Sequence, residues 1–497
     1  MKTITTYLKH KLKEKHLKVE DLIRLTGVSK STIYRVMKGY QRPSKELFAR
    51  IIEVLELDAD EAKKLRYYCS IANVDENALA AREELKTIFS RSYTDPTEKI
   101  ELVYYDQEKF IRTFDEVLNA IVKASENADF SCKFRLLNSC EDGIFNSLFS
   151  AIAELSNRNR NYTVEHLVTF TSHATKNNIM VLKKIIPLLP FSHYNVLYCE
   201  KENAASGNFF HDFLMIDYTY TDEAGQPCVK HLYLSFLAEA LSACYVAESE
   251  NIQEFFERNY EDLRQHYRYA LNHDNTFHYL YELVAVLEAK YNIYLFKPNP
   301  CYNRIPPAVY ESIRDRSSQE TLAAFAKSFF TDITLGEQFQ EEQIDQLITF
   351  IAGRFESSMT HKQIDVFTKD GLESFAATGI MSDHVDNLPA LIGPEIRILL
   401  EHIKARDLDA NDPYRFYIMD SAYSNRDYLI TVYQDYGLLI EYSNPEYKTA
   451  DLPFCIIEHK GLSETFVDFV DNYVPTMLAL PQAEAHAFLD ELMAKYC

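Results

Sequence analysis

The sequence predicts an α+β multidomain protein: a small all-α head followed by a large mixed α/β body. Three observations predict it. The first 70 residues hold 16 Lys and Arg against 9 Asp and Glu, a net of +7 in a chain whose total is −22. Apolar residues recur at helical spacing in that segment, whereas from about residue 111 short alternating apolar runs interrupt the helical stretches. Finally, 497 residues, 47% of them apolar and only 12 of them glycine, suffice for several packed cores. The 34 Tyr and 31 Phe are read as core-filling aromatics, since Trp is absent.

Ile4, Leu8 and Leu12 stand four apart and define one face of a first helix. A second helix follows from Val19 to Leu25, with Leu22 and Ile23 apolar. Gly27 marks a turn in which positive φ is expected. Ser29 is a good N-cap for a third helix, whose buried side is Ile33, Val36 and Met37. Pro43-Ser44 opens a fourth, with Leu47, Ile51, Ile52 and Leu55 inward. Five short helices are expected in about 65 residues.

The run from Gly27 to Gly39 reads as the turn and recognition helix of a helix-turn-helix. The head resembles the lambda-repressor-like (Cro/C1, XRE) family over about residues 3–66. The matching residues are Glu20-Asp21-Leu22, Leu25 through Ile33, Arg35, the Lys38-Gly39 stop and Pro43. The resemblance implies that Ser29 to Lys38 lies in the major groove of DNA. Lys30, Ser31 and Thr32 would sit on its leading edge, with Arg35 one turn on. Gln41, Arg42 and Lys38 would reach backbone phosphates. One departure matters. The family often opens its second helix with a polar Thr-Gln pair, where this chain has Lys18-Val19. Val19 cannot make the bracing hydrogen bond, so Lys18 would substitute by charge.

Along the body, Phe114 to Ala124 reads as helix and Phe134 to Asn138 as strand. Tyr162 to Phe170 and Tyr194 to Tyr198 also read as strands. Phe213 to Tyr220 and His231 to Ser235 read as a hairpin. Helices are expected at about 251–271 and 276–291. Residues 392–480 follow a similar order, pairing 133–139 with 414–421 and 255–260 with 469–473, which reads either as two related α/β halves with a helical segment between them or as a pattern any two α/β units share. The Pro-rich stretch from Lys297 to Pro307 reads as an ordered surface loop, a connector or the wall of a cleft. The expected division is a helix-turn-helix head at 1–70 and a helical linker or dimerisation segment at 71–110. A first α/β regulatory unit at 111–267, a mostly helical middle segment at 268–390 and a second α/β regulatory unit at 391–497 complete it.

No phosphate-binding glycine loop, nucleophile elbow or zinc-protease motif is present in the sequence. Nine scattered cysteines without C-x-x-C read as reduced thiols. His266, His273 and His278, near Asp274, read as solvated or core histidines. His211 through Asp217 is similar to half of a phospholipase D-like motif, but Phe213 stands where that family has Lys. The Asp comes one residue early, and no second copy follows. Phosphodiester chemistry needs that Lys to hold the phosphate, so no such activity is expected.

The expectation is therefore a cytoplasmic, sequence-specific DNA-binding transcriptional regulator of bacterial type, with no catalytic residues, metal or cofactor. Its partners would be double-stranded DNA, a second copy in a homodimer, and a small-molecule or protein effector sensed by the acidic body. No membrane contact is expected, as no run approaches the length of a span. The alternative is a head fused to an enzyme or effector body: a degenerate phospholipase D-like scaffold, or a defence or mobile-element function. A third reading makes the acidic body a platform for a basic partner.

Overall fold

The computed structural model describes residues 4–38, 40–41, 43–70, 81–82, 85, 108–127, 129–137, 142–172, 176–191, 193–200, 212–222, 224–237, 240–247, 250–271, 277–327, 341–381, 389–419, 428–442 and 454–497. Five helices form the head: α1 (Ile4–Glu14), α2 (Val19–Thr26), α3 (Lys30–Met37), α4 (Lys45–Val54) and α5 (Ala59–Ser70). Their buried stripes meet in one core of Ile4, Leu8, Leu12, Leu22, Ile33, Val36, Met37, Leu47, Ile51, Leu55 and Leu65. The helical period of the sequence dictates this packing, because each stripe has only the other stripes to bury against.

The body holds two mixed sheets. The first contains β1 (Ser131–Leu137), β2 (Asn161–Phe170), β3 (Tyr194–Glu200), β4 (Asp212–Thr221), β5 (Pro227–Leu237), β6 (Ala240–Ala247) and β7 (Arg268–Leu271), in the order β6-β5-β4-β1-β2-β3-β7. The second contains β8 (Ile293–Phe296), β9 (Gln363–Thr368), β10 (Tyr414–Met419), β11 (Tyr428–Tyr433), β12 (Gly437–Tyr442) and β13 (Phe454–Ile457), in the order β10-β9-β8-β11-β12-β13.

Taken from its other edge, the second sheet matches six strands of the first in order, and the edge strand β7 has no counterpart. β1, β2 and β3 run parallel, as do β8, β9 and β10. β4 lies antiparallel to β1, as β11 does to β8. The remaining strands of each half continue antiparallel. A helix follows the last matched strand in both halves: Glu250–Arg264 after β6 and Lys460–Asp468 after β13. The body is thus two α/β halves of one topology. The expected pairing of 133–139 with 414–421 differs from this order: β1 corresponds to β8, and β10 to β3. The pairing of 255–260 with 469–473 falls on the two post-strand helical segments.

The observed elements differ from expectation elsewhere too. Arg268–Leu271 is a strand at the end of the stretch read as helix 251–271. β8 and β9 fall inside the expected middle segment, 268–390, and form part of the second sheet. The Pro-rich stretch is not a surface loop: Lys297, Asn299, Cys301, Tyr302, Asn303, Arg304 and Ile305 are all buried. Burial is possible because its charges are met inside. Arg304 is paired with Asp365 at 3.2 Å, and Asn303 donates to Glu288 at 2.6 Å.

One apolar cluster runs through both halves, joining Phe134, Val164 and Val196 of the first sheet to Phe296, Val366, Ile430 and Leu438 of the second. No helix among the described residues is long and apolar enough to cross a membrane.

Candidate nucleic-acid interface

The α2–turn–α3 unit is fixed by hydrogen bonds that the sequence supplies locally. Gly27 adopts φ 66°, and its N–H closes α2 by donating to the Ile23 carbonyl at 3.1 Å. A left-handed residue at this place favours glycine, which carries no Cβ. The buried Thr26 hydroxyl donates to the Leu22 carbonyl at 2.7 Å. The Thr26 carbonyl in turn accepts from the Arg50 guanidinium of α4 at 2.7 Å. Thr5 of α1 donates to the Met37 carbonyl at the other end of α3. The angle between α2 and α3 is therefore braced from two neighbouring helices.

Ser29 caps α3, its Oγ accepting from the Thr32 N–H at 3.3 Å. The same oxygen lies 3.0 Å from Ser31 Oγ and 2.8 Å from Thr32 Oγ1. The hydroxyls of Ser31 and Thr32 are thus engaged with the cap as well as facing outward. Ile33, Val36 and Met37 are buried, leaving Lys30, Ser31, Arg35 and Lys38 exposed on the opposite side. Thr32 is half-buried and Gln41 is exposed. Arg42, the remaining expected contact, lies outside the described residues.

Two features were not read from the sequence. Tyr34, half-buried on the outer side of α3, carries the Lys30 ammonium 5.9 Å from its ring centroid. The i, i+4 spacing of Lys30 and Tyr34 was the available signal. Tyr40 is 66% exposed directly after the recognition helix. At the start of α2, Val19 packs against the head core, and the Lys18 backbone N–H is accepted by Asp21 at 3.0 Å. The missing Thr-Gln pair is replaced by a carboxylate at the helix start, where it also meets the positive end of the helix dipole.

Charge is partitioned across the head. On α1, Lys11 is paired with Glu14 and Glu61, and Lys15, just past its end, lies 2.6 Å from Glu56. Hydrogen bonds to Glu14 and Glu61 hold the Lys11 ammonium well above its usual range. Lys30, Arg35 and Lys38 have no carboxylate partner among the described salt bridges. Lys11 and Lys15 are thus neutralised internally, whereas Lys30, Arg35 and Lys38 are left available.

Residues 8–65 match the family model described as a helix-turn-helix domain. The head is a helix-turn-helix domain. A domain of this kind implies DNA binding, with the second helix of the motif presented to the major groove. The match covers the head and not the body, and comparison with curated proteins found no match to the chain.

In the body, the residues similar to the phospholipase D-like motif do not assemble as such among the described residues. His211 lies outside them. Phe213 is buried against Tyr260, ring centroids 6.1 Å apart. The Asp217 carboxylate lies 2.7 Å from His231 Nδ1 and 3.2 Å from the Arg135 guanidinium. His266 is exposed, His273 lies outside the described residues, and His278 belongs to the helix Phe277–Glu288.

Proposed function

We propose that the chain is a sequence-specific transcriptional regulator that binds double-stranded DNA as a homodimer, with the two-halved body sensing a small-molecule or protein effector. The observation that carries this reading is the charge partition of the head. Lys30, Arg35 and Lys38 stand exposed along and just after α3 with no carboxylate among the described ion pairs, whereas Lys11 and Lys15 are paired. Lys30 and Arg35 are the residues proposed to read base edges, and Lys38 and Gln41 to hold phosphates. Ser31 and Thr32 contribute through the exposed parts of their side chains, and Arg42 belongs to the same proposed face. Dimerisation would place two recognition helices one helical turn apart on a near-palindromic site. An effector would act by binding two arrangements of the body with different affinity. The reading places the protein in the cytoplasm and needs no cofactor or catalytic group.

The test is selection of bound duplexes from a randomised library by the full-length chain, wild type beside Arg35→Ala. A near-palindromic site enriched by the wild type and lost in the variant supports the proposal. Equal enrichment by both rejects α3 as the reading face.

The repeated topology of the body favours a second reading, a head fused to an enzyme or effector body. Hydrolysis of phosphodiesters by the full-length chain would separate the two.

A further inference from the structure

The head does not hang from the body; it is seated on one unusual helical segment. The helix α16 (Lys460–Asp468), the sixteenth helix when the body helices Glu108–Ala124, Asp142–Asn157, Lys176–Ile185, Glu250–Arg264, Phe277–Glu288, Pro307–Arg316, Gln319–Lys327, Glu341–Ser358, Lys369–Thr378 and Gly393–Leu408 are counted, runs on without a break into a π-helix, Phe469–Leu478. The wider register is visible at its end, where the Ala479 N–H donates to the Val474 carbonyl, five residues back, at 2.8 Å. π-Helices are rare, and most are single turns at functional positions. This one has a local cause. Pro475 has no N–H, and in an α register its ring would collide with the Asp471 carbonyl.

Three contacts join the head and its exit segment to this ridge. Tyr67 of α5 meets Tyr473 edge-on, with centroids 5.3 Å apart. The Lys63 ammonium donates to the Ala479 carbonyl at 3.5 Å, at the negative end of the helix. Arg82, only 1% exposed, forms a bidentate pair with Asp468. The far side of the same ridge is tied to the second sheet. Asp471 is held by Lys362 at 2.9 Å, and Ala479 bridges to Met419 at the end of β10.

The aromatic rings form one continuous file between the two. Tyr7 of α1 lies 5.1 Å from Tyr68, and Tyr68 5.9 Å from Tyr67. Across the junction Tyr473 stacks on Phe469 at 5.3 Å, and Phe469 lies 6.4 Å from Phe296 of β8. A close-packed file of rigid rings transmits displacement, since packed cores adopt discrete arrangements and do not deform continuously.

We infer that Phe469–Leu478, held in the π register by Pro475, is a rigid coupler that ties the second sheet to the DNA-binding head. In the π register it seats α5 as described. In an α register the same residues would turn by a different angle per step, carrying Tyr473 away from Tyr67 and changing how the head is held. An effector that favours one arrangement of the second sheet would thereby bias the head. The regulatory role rests on the proposed DNA binding, whereas the mechanical coupling does not.

Hydrogen exchange on the full-length chain tests the coupling without DNA. Pro475→Ala removes the obstacle to the α register and touches nothing in the head. It is expected to speed amide exchange in Ala59–Ser70 by about 5-fold or more, the lower end of ordinary coupling between sites. Tyr473→Ala should do the same, and Tyr473→Phe, which keeps the ring, should not. Exchange in Ala59–Ser70 unchanged in both Pro475→Ala and Tyr473→Ala overturns the inference. Loss of protection throughout both sheets in both variants overturns it as well, because the segment would then be holding up the fold and not the head. The duplex that the wild type selects from the randomised library supplies the second readout. A change of similar size in its Kd for Pro475→Ala supports the regulatory role. If the wild type selects no duplex, the proposed function fails while the exchange result still decides the coupling.

Discussion

The Arg50 guanidinium donates to the Thr26 carbonyl at 2.7 Å, joining α4 to the last residue of α2. The bond holds the chain one residue before the left-handed Gly27, so it sets where the recognition helix begins. Replacing either residue should loosen the same turn. Arg50→Ala is expected to lower head stability by about 1 kcal/mol, below the range for a charged hydrogen bond because the side chain is largely exposed. Gly27→Ala should cost about 1–2 kcal/mol through the positive φ alone. Chemical denaturation followed by the protection of α2 and α3 measures both. A Gly27→Ala protein as stable as the wild type would contradict the turn geometry.

On DNA, Lys30→Ala with Arg35→Ala should weaken binding to the selected duplex by roughly 2–5 kcal/mol and relax its sequence preference. Lys38→Ala should act differently. A phosphate contact weakens all sequences about equally and lowers the salt slope by about 1. Titrations at several salt concentrations distinguish the roles. If Lys38→Ala changes preference and leaves the slope alone, the assignments of base and phosphate contacts are reversed.

Acid should loosen α1 from α5. The hydrogen bond from Lys11 holds the Glu61 carboxyl below its usual range, with the Asp58 backbone N–H adding to it. A folded-state value below the unfolded one means that the pair stabilises the head at neutral pH. The contribution is lost as the pH falls below the ordinary glutamate value of about 4.3. Melting of Lys11→Met between about pH 3 and about pH 7, which brackets the ordinary glutamate value, should show a shallower acid decline than the wild type. Parallel declines would remove Glu61 from the account.

The loop after β8 is held by a buried pair: Arg304 is 2% and Asp365 1% exposed, and the Tyr414 hydroxyl also donates to Asp365 at 3.0 Å. Asp365→Ala leaves a guanidinium buried without its counter-charge. A loss of about 3–5 kcal/mol is expected, measured by denaturant unfolding of the body. Replacing both Arg304 and Asp365 by apolar residues should cost less than Asp365→Ala alone, because no unpaired charge then remains.

The head was legible because its signals are local. Helical spacing gave the buried stripes, Ser29 the cap and Gly27 the turn, and each acts within four residues of itself. The body was legible at the level of strands, as the Asp212–Thr221 and Pro227–Leu237 hairpin illustrates. Strand order was not, because β8, β9 and β11 are neighbours drawn from positions about 70 to 130 residues apart, a separation no local period records. The internal repeat was visible in outline and misaligned in detail for the same reason.

By itself the sequence determined the helices of the head and several strands of the body, where the recognition helix starts, and that its cations stand on a basic head above an acidic body. Tertiary structure decided which of those cations remain available, since Lys11 and Lys15 are claimed by carboxylates some 40 to 50 positions away in the chain. It also decided that a Pro-rich stretch of surface-like composition is buried, because Asp365 and Glu288 supply charges that only the folded sheet brings to it. The seat of the head on Phe469–Leu478 belongs to the same class: Lys63 and Ala479 are 416 residues apart, and only the fold makes them neighbours.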